Sequence, residues 1–122
     1  MPFTAITYDI KPGYEDEIAE VFARFRRVSD PVVRNAAGED VGRVLGTALF
    51  IKDATMVRFI EYEGDLAEVA RYMAVQPGVR EVEERLVPYL SAPRDTATVE
   101  GFAATFAKNT MRCLSQFFAP RG

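Results

Sequence analysis

The chain has 122 residues, of which 48% are hydrophobic and 27% are charged, so we expect residues 1–122 to form one globular domain with a sizeable core. Its net charge is −3 and its basic residues are scattered, so it lacks the positive stripe that nucleic-acid binding requires. No apolar run is long enough to cross a bilayer and the N-terminus lacks the basic start of a secretion signal, so we expect a cytoplasmic protein with no membrane partner.

The first half of the chain alternates between strand and helix patterns. A segment rich in β-branched and aromatic residues ends at the turn KPG, and a helix with one apolar face follows. After a polar loop, two strands form a hairpin around the turn KDAT, and Gly42 and Gly46 indicate a bulge or a close backbone approach. The predicted boundaries are strand 3–10, helix 14–28, loop 29–40, strand 41–51 and strand 55–63.

The second half of the chain is mainly helical in pattern. Asp65 is a good N-cap for a helix that ends near the sequence QPG at 76–78. Helical spacing recurs over 79–90, where Pro88 stops it, and again over 99–108 after a linker. Residues 110–118 predict a final strand.

The predicted order of elements indicates the fold class. Strand, helix, strand, strand, helix and strand, with extra helices near the C-terminus, predict an α+β protein with the ferredoxin-like plait. Helices would then cover one face of an antiparallel sheet and leave the other face bare and apolar. A bare apolar face favours a homodimer, and two such sheets packed face to face form a dimeric α+β barrel.

The absence of histidine narrows the possible chemistry. Without histidine, Ser-His-Asp and Cys-His nucleophiles and histidine-ligated metals are excluded. The sequence also has no Walker loop and no GxGxxG motif, so we expect no cofactor and no metal. Any reaction must use the remaining polar side chains, backbone groups or the reactivity of the substrate itself.

Two segments carry a resemblance to a known family. The stretch VGRVLGTALFIKDATMVRFIEYEGDLAEVARYMAVQPGVREVEERLVPYLSAPRDT, together with NTMRCL near the end, resembles the SchA/CurD-like proteins. Those proteins are encoded beside aromatic (type II) polyketide synthases, including spore-pigment systems of actinomycetes. The resemblance covers roughly residues 32–115 and contains no short catalytic signature. It implies a small-molecule polyketide substrate and components of a type II polyketide synthase as partners.

A weaker similarity connects the chain to the tetracenomycin-type polyketide cyclases. It rests on the segments ALFIKDATMVRFIE and QPGVREVEERLVPYL. It implies a dimeric barrel that guides ring closure of a poly-β-ketone in an apolar pocket, so we expect an aromatic polyketide cyclase or tailoring enzyme. The histidines that some cyclases carry in this hairpin are missing here. Two alternatives stay open: a cofactor-independent monooxygenase that oxidises a polyketide phenol to a quinone, and a non-catalytic accessory protein of the synthase.

Arg58 is the first candidate for a catalytic role. Strand alternation places it on the same face as apolar Met56 and Ile60. One interpretation is a buried or interfacial ion pair, or an arginine that reaches solvent past its neighbours. The other is a cation in a pocket that stabilises the enolate or phenolate of the substrate, because a guanidinium cannot serve as a base at neutral pH.

The candidate proton carriers are Tyr62, Tyr8 and Asp9. Either tyrosine can donate a hydrogen bond to a carbonyl oxygen, or it can be a core residue with a satisfied hydroxyl. Asp9 closes the first strand, so it can also serve only to cap the KPG turn.

The candidate substrate-binding residues are apolar helix residues and two arginines. Phe22, Phe25 and Met73 belong to core stripes that can also form pocket walls. Arg43 should lie near Glu61 or Glu63 across the hairpin, where a structural cross-strand pair is the alternative, and Arg112 on the final strand is similar.

Two further predictions are structural. The charged helix residues Glu81, Glu83 and Glu84 should form a solvated face. Cys113, the single cysteine, should be a small buried hydrophobe.

Overall fold

The computed structural model describes residues 2–24 and 31–120. Within them the chain forms four strands and four α-helices, with one short 3-10 helix at Val87–Tyr89. The strands are β1 (Phe3–Asp9), β2 (Val32–Arg34), β3 (Asp40–Lys52) and β4 (Thr55–Gly64). The α-helices are α1 (Glu15–Ala23), α2 (Leu66–Ala74), α3 (Pro77–Leu86) and α4 (Val99–Asn109).

The strands form one antiparallel sheet in the order β1-β4-β3-β2. The hairpin of β3 and β4 turns where predicted, and Asp53 adopts a left-handed conformation with φ 54° in the turn. A bulge at Leu45 separates the pair Val44–Tyr62 from the pair Gly46–Glu61. The α+β class predicted from the sequence is confirmed, with an antiparallel sheet and helices packed against it.

The core lies between one face of the sheet and the helices. Burial alternates along β1 and β4, and the inward residues include Ile6 and Ile60, which are almost fully buried. Val69 of α2 and Leu86 of α3 complete this core from the helical layer. No helix within the described ranges is long and apolar enough to span a bilayer.

Some helices begin or end at the capping and proline residues that the sequence analysis identified. The Asp65 side chain accepts a hydrogen bond from the N–H of Ala67 at 2.8 Å, so the predicted N-cap of α2 is confirmed. α3 ends at Leu86, and Pro88 continues in the 3-10 turn. α1 ends at Ala23, and the remainder of the predicted helix 14–28 beyond Arg24 lies outside the described residues.

The predicted final strand over 110–118 is wrong in this structure. Thr110 forms a single bridge with Ile6, and the N–H of Met111 donates to the carbonyl oxygen of Ala5 at 2.7 Å. The segment then continues along β1 without regular pairing, so the described residues contain only the start of a strand at this edge. A further difference is that the predicted loop 29–40 contains β2.

The outer face of the sheet is apolar and incompletely covered. Phe59 and Phe3 are half-buried there, with ring centroids 4.9 Å apart, and Phe118 of the C-terminal segment stacks on Phe3 at 4.8 Å. Phe50 on the same face is 63% exposed. Cys113 is exposed as well, so its predicted burial is wrong.

Candidate functional site

A cavity of about 550 Å³ opens on the helical side of the sheet. Residues 44–49 of β3 form its floor together with Arg58 of β4. Phe22 and Ala23 of α1, Met73 of α2 and Val79 of α3 form its walls, and Pro31 lies at its rim. Among the described residues, the helices leave uncovered the part of β3 that follows the bulge, where Thr47 and Leu49 are exposed.

Arg58 is the one lining residue, among those the structure describes, whose side chain is ionisable. It lies in β4 between Ile6 and Leu49 of the neighbouring strands and is 6% exposed. Its guanidinium carbon lies 5.8 Å from the centre of the Phe22 ring, within reach of a cation–π interaction. A buried positive charge beside apolar walls interacts more strongly with an anion than an exposed charge does, because burial lowers the local dielectric constant.

Two of the predicted pocket-wall residues line this cavity with Arg58. Phe22 is half-buried on α1, and Met73 is buried on α2. Phe25, the third predicted wall residue, lies outside the described residues. Three residues that are distant in sequence therefore meet at one site.

Tyr8 and Asp9 are not among the described residues that line the cavity. Tyr8 is buried beneath the guanidinium of Arg94, which lies 4.2 Å from the ring centre. The side chain of Asp9 is exposed, and its carbonyl oxygen accepts a hydrogen bond from the N–H of Ser91 at 3.0 Å. Their roles as proton carriers stay predictions. In the structure, Tyr8 packs against Arg94, and the backbone of Asp9 is hydrogen-bonded to Ser91.

Arg94 belongs to a buried ion pair that the sequence did not indicate. Its Nε lies 3.4 Å from Oε2 of Glu83, and both side chains are less than 10% exposed. The prediction that Glu83 lies on a solvated face is therefore wrong. The reason is tertiary: the linker after α3 folds back and brings Arg94 over this carboxylate.

Tyr62 of β4 and Arg43 of β3 lie on the side of the bulge that is farther from the hairpin turn. Tyr62 is half-buried and pairs with Val44, which lines the cavity, so it is a near neighbour of the site and not part of its described wall. Arg43 is exposed and lies opposite Glu63 in the backbone register, so its predicted place near Glu63 is confirmed, while its role in substrate binding stays a prediction. Arg112 is exposed in the C-terminal segment.

Sequence reasoning missed the contribution of β3 to the cavity floor. The register places Leu49 opposite Arg58 and Thr47 opposite Ile60, so these side chains share the helical face. The hairpin turn KDAT was a sufficient signal for that register. Val79 and Pro31 had no comparable signal, because their positions depend on how α3 and the loop before β3 pack.

A shallower depression of about 460 Å³ between α1 and α3 does not compete as a site. Its lining is dominated by exposed charges, among them Glu20 and Arg24, which pair with each other at 3.0 Å. No group of three or more potential metal-ligating side chains is arranged around an ion site in the described part of the chain. The Arg58 cavity combines burial, charge and apolar walls, and we take it as the candidate site.

A solved structure has a fold similar to that of this chain. The structure of the chain is similar to tetracenomycin F2 cyclase from Streptomyces glaucescens, a type II polyketide cyclase, with a TM-score of 0.56 and 17% sequence identity. The similarity covers 98% of this chain and 100% of that one. At this level of identity the comparison shows the fold alone.

Sequence comparison identifies longer relatives in Streptomyces. The chain is 38% identical over 107 residues to polyketide synthase CurD of S. cyaneus, which covers 88% of this chain and 28% of that protein. It is 37% identical over 107 residues to the 42.8 kDa protein in the whiE locus of S. coelicolor, covering 88% and 25% of the two chains. It is 33% identical over 118 residues to protein SchA of S. halstedii, covering 97% and 30%.

The chain thus spans between 25% and 30% of the length of these curated relatives. The names of polyketide synthase CurD and of the structural neighbour both refer to polyketide biosynthesis. The family model of the SchA/CurD like domain matches residues 1–119, which is nearly the whole chain. The chain therefore belongs to the SchA/CurD-like family.

Proposed function

We propose that this domain is an aromatic polyketide cyclase, which binds a poly-β-ketone or a partly cyclised polyphenol and guides its ring closure. The observation that supports this most directly is the cavity of about 550 Å³, whose described walls are mainly apolar and carry one charge, that of Arg58. This volume lies within the range of roughly 300–1,000 Å³ found for small-molecule sites. The substrate class follows from the polyketide relatives, and the chemistry follows from the cavity.

Arg58 would act on the charge that develops during ring closure. A carbon between two carbonyl groups loses a proton to a solvent water molecule and forms an enolate, whose negative charge lies mainly on oxygen. The guanidinium donates hydrogen bonds to that oxygen and lowers the free energy of the enolate. The enolate carbon then attacks a second carbonyl carbon, and a carbon–carbon bond forms as the π bond of that carbonyl opens to an alkoxide. The alkoxide takes back a proton from water, and loss of one water molecule leaves the ring unsaturated.

The walls of the cavity would supply the geometry of the reaction. A poly-β-ketone is intrinsically reactive and can close several different rings. A cyclase must therefore bring one pair of carbons together in preference to the others. Phe22, Met73 and Leu49 offer apolar surfaces against which the chain can fold. Holding two reacting carbons in contact removes much of the entropic part of the barrier. The hydroxyl of Thr47, on the same face of β3, can donate to the carbonyl under attack.

The test is product analysis with a reconstituted aromatic polyketide synthase. We compare the wild-type chain with Arg58→Met, which removes the charge at similar length, and with Arg58→Lys, which retains it. Arg80→Met, an exposed arginine on α3, is the matched control. We expect one cyclised product with the wild type and the control, a mixture of shunt rings with Arg58→Met, and partial recovery with Arg58→Lys.

Other outcomes would identify the alternatives. A product that has gained one oxygen atom and lost two hydrogen atoms would replace the cyclase by a cofactor-independent monooxygenase. A product profile that is the same with and without the wild-type protein would leave a non-catalytic accessory role. Thermal melting of each variant shows whether a change in products reflects loss of the fold.

We infer further that two copies of the domain pack through the outer faces of their sheets, as in a dimeric ferredoxin-like barrel. The support is the apolar outer face that contains Phe3, Phe59 and the largely exposed Phe50. In analytical ultracentrifugation we expect a dimer for the wild type and a monomer for Phe50→Glu. Val87→Glu is the control, since Val87 is 62% exposed and lies in the 3-10 helix after α3, outside the strands of the sheet. A wild type that is monomeric at all concentrations would contradict the inference.

A further inference from the structure

The cavity beside Arg58 has a neighbour along β3. A second cavity of about 370 Å³ lies between α1 and the turn end of the hairpin. Its lining includes Ile18 of α1, Ile51 of β3 and Met56 of β4. Three residues, Phe22, Ala23 and Leu49, line both cavities and therefore form the boundary between them.

The two cavities follow one direction. The first contacts β3 from Val44 to Leu49, and the second contacts it from Leu49 to Ile51. The eight strand residues from Val44 to Ile51 are separated by seven rises of about 3.3 Å, which corresponds to a cleft of about 23 Å. Such a cleft suits an elongated ligand better than a compact one.

The two cavities differ in charge. The first contains the guanidinium of Arg58. In the second, Glu15 is the one ionisable residue among the described lining residues, and it is exposed at the start of α1. An anionic group is therefore favoured in the first cavity, and an uncharged apolar group is favoured in the second.

We propose that the two cavities form one two-compartment site for an elongated ligand, with an acidic aromatic head at Arg58 and an uncharged apolar extension beyond Phe22. Phe22 is the partition between the compartments and determines how far the ligand extends. This proposal rests on the proposed function, because it assigns the two ends of the same substrate class to the two compartments.

The position of Phe22 supports this role. Its ring lies 5.8 Å from the Arg58 guanidinium carbon on one side, and its side chain lines the apolar compartment on the other. It is half-buried, so the site can lose the ring without opening the centre of the core. Leu49, the facing member of the boundary, belongs to β3 and is fixed by its pairing with Arg58.

The test uses a series of 2-naphthoates that carry unbranched 6-alkyl chains of zero, two, four and six carbons. Calorimetry gives the dissociation constant of each compound for the whole chain. Each methylene that enters an apolar compartment should tighten binding about fourfold, from roughly 0.8 kcal/mol per buried methylene. For the wild type we expect the gain to level off within the series, and for Phe22→Ala we expect it to continue to longer chains.

Two further variants separate bulk from other effects of the substitution. Phe22→Leu retains part of the volume and should give an intermediate chain length. Ala19 is exposed on α1 and lines the second compartment but not the first. Adding Ala19→Phe to Phe22→Ala should therefore abolish the gain in affinity for long alkyl chains. Ala107→Phe, the same change at an exposed position of α4, is the matched control and should leave the chain-length profile of Phe22→Ala unchanged.

Failure of this proposal differs from failure of the proposed function. If unsubstituted 2-naphthoate does not bind, or binds equally well to Arg58→Met, the anion site itself is wrong. If that binding depends on Arg58 but the chain-length profiles of the wild type and Phe22→Ala coincide, only the two-compartment proposal is overturned. A profile that Ala107→Phe alters as much as Ala19→Phe does would also overturn it.

Discussion

The buried ion pair between Glu83 and Arg94 gives the sharpest prediction for stability. Glu83 lies on the inner face of α3, and Arg94 reaches it from the linker between the 3-10 helix and α4. The guanidinium also covers the ring of Tyr8 in β1 at 4.2 Å. One side chain therefore connects a helix, a linker and a strand, and the perturbation is Glu83→Gln, which removes the negative charge with almost no change in shape.

The magnitude follows from the burial of both partners. Removing one partner of a buried ion pair typically costs about 3–5 kcal/mol, because the other charge stays buried without compensation. The contact of 3.4 Å and exposures of 9% and 7% favour the lower end of that range, about 3 kcal/mol. The total free energy of unfolding of a domain is roughly 5–15 kcal/mol, so this loss is a large part of it. At about 4 °C per kcal/mol for a domain of this size, we expect the melting temperature to fall by about 12 °C.

The assay is urea unfolding of a double-mutant cycle with Glu83→Gln, Arg94→Met and the combined variant. The combined variant should be less destabilised than the sum of the two single variants, because it contains no uncompensated charge. Glu81→Gln is the control on the same helix. Glu81 pairs with Arg85 at 2.8 Å, but those side chains are 36% and 47% exposed, so this change should cost less than about 1 kcal/mol.

Two results would refute the reasoning. The exposed pair of Glu81 and Arg85 is shorter than the buried pair of Glu83 and Arg94, so distance alone would make it the stronger one. If Glu83→Gln lowers the free energy of unfolding no more than Glu81→Gln does, burial does not control the strength of these ion pairs. If the two single changes add in the combined variant, Glu83 and Arg94 do not interact.

Three further predictions concern the sheet, a helix cap and the core. Gly42→Ala should destabilise by about 1–3 kcal/mol, because a Cβ there would clash with the carbonyl oxygen of Glu63, whereas Gly46→Ala faces open space and should be nearly neutral in the same denaturant assay. Thr98→Ala should cost about 1 kcal/mol, since its hydroxyl caps α4, and Thr98→Ser should restore most of this in urea unfolding. Ile60→Ala should cost about 2–5 kcal/mol in the same experiment, because Ile60 is fully buried, and a cost below 1 kcal/mol would contradict its place in the core.

Several features of the fold were predictable because their causes are local. The KDAT turn, the Asp65 cap and the strand alternation around Arg58 each depend on residues within a few positions of one another. Gly42 and Gly46 indicated an irregular strand, and the structure shows both expected effects: a close backbone approach at Gly42 and a bulge beside Gly46.

The candidate site was predictable only in part. Strand alternation placed Arg58 on one face with Met56 and Ile60, and the structure shows that this is the buried face of the strand. It did not separate Tyr8, which has the same orientation in β1, from residues that line the cavity. The difference arises from Arg94, which covers Tyr8 from a distant part of the chain. No local pattern around Tyr8 contains that information.

The sequence by itself determined most of the helices and strands and placed Arg58 on one strand face with Met56 and Ile60, since both follow from spacing along a single helix or strand. The tertiary structure decided that Glu83 is buried, that 110–118 forms only the start of a strand, and that Phe22 lies beside Arg58. These features depend on how helices and linkers pack on the sheet. Such packing is fixed by contacts between residues far apart in the chain, so short-range patterns do not specify it.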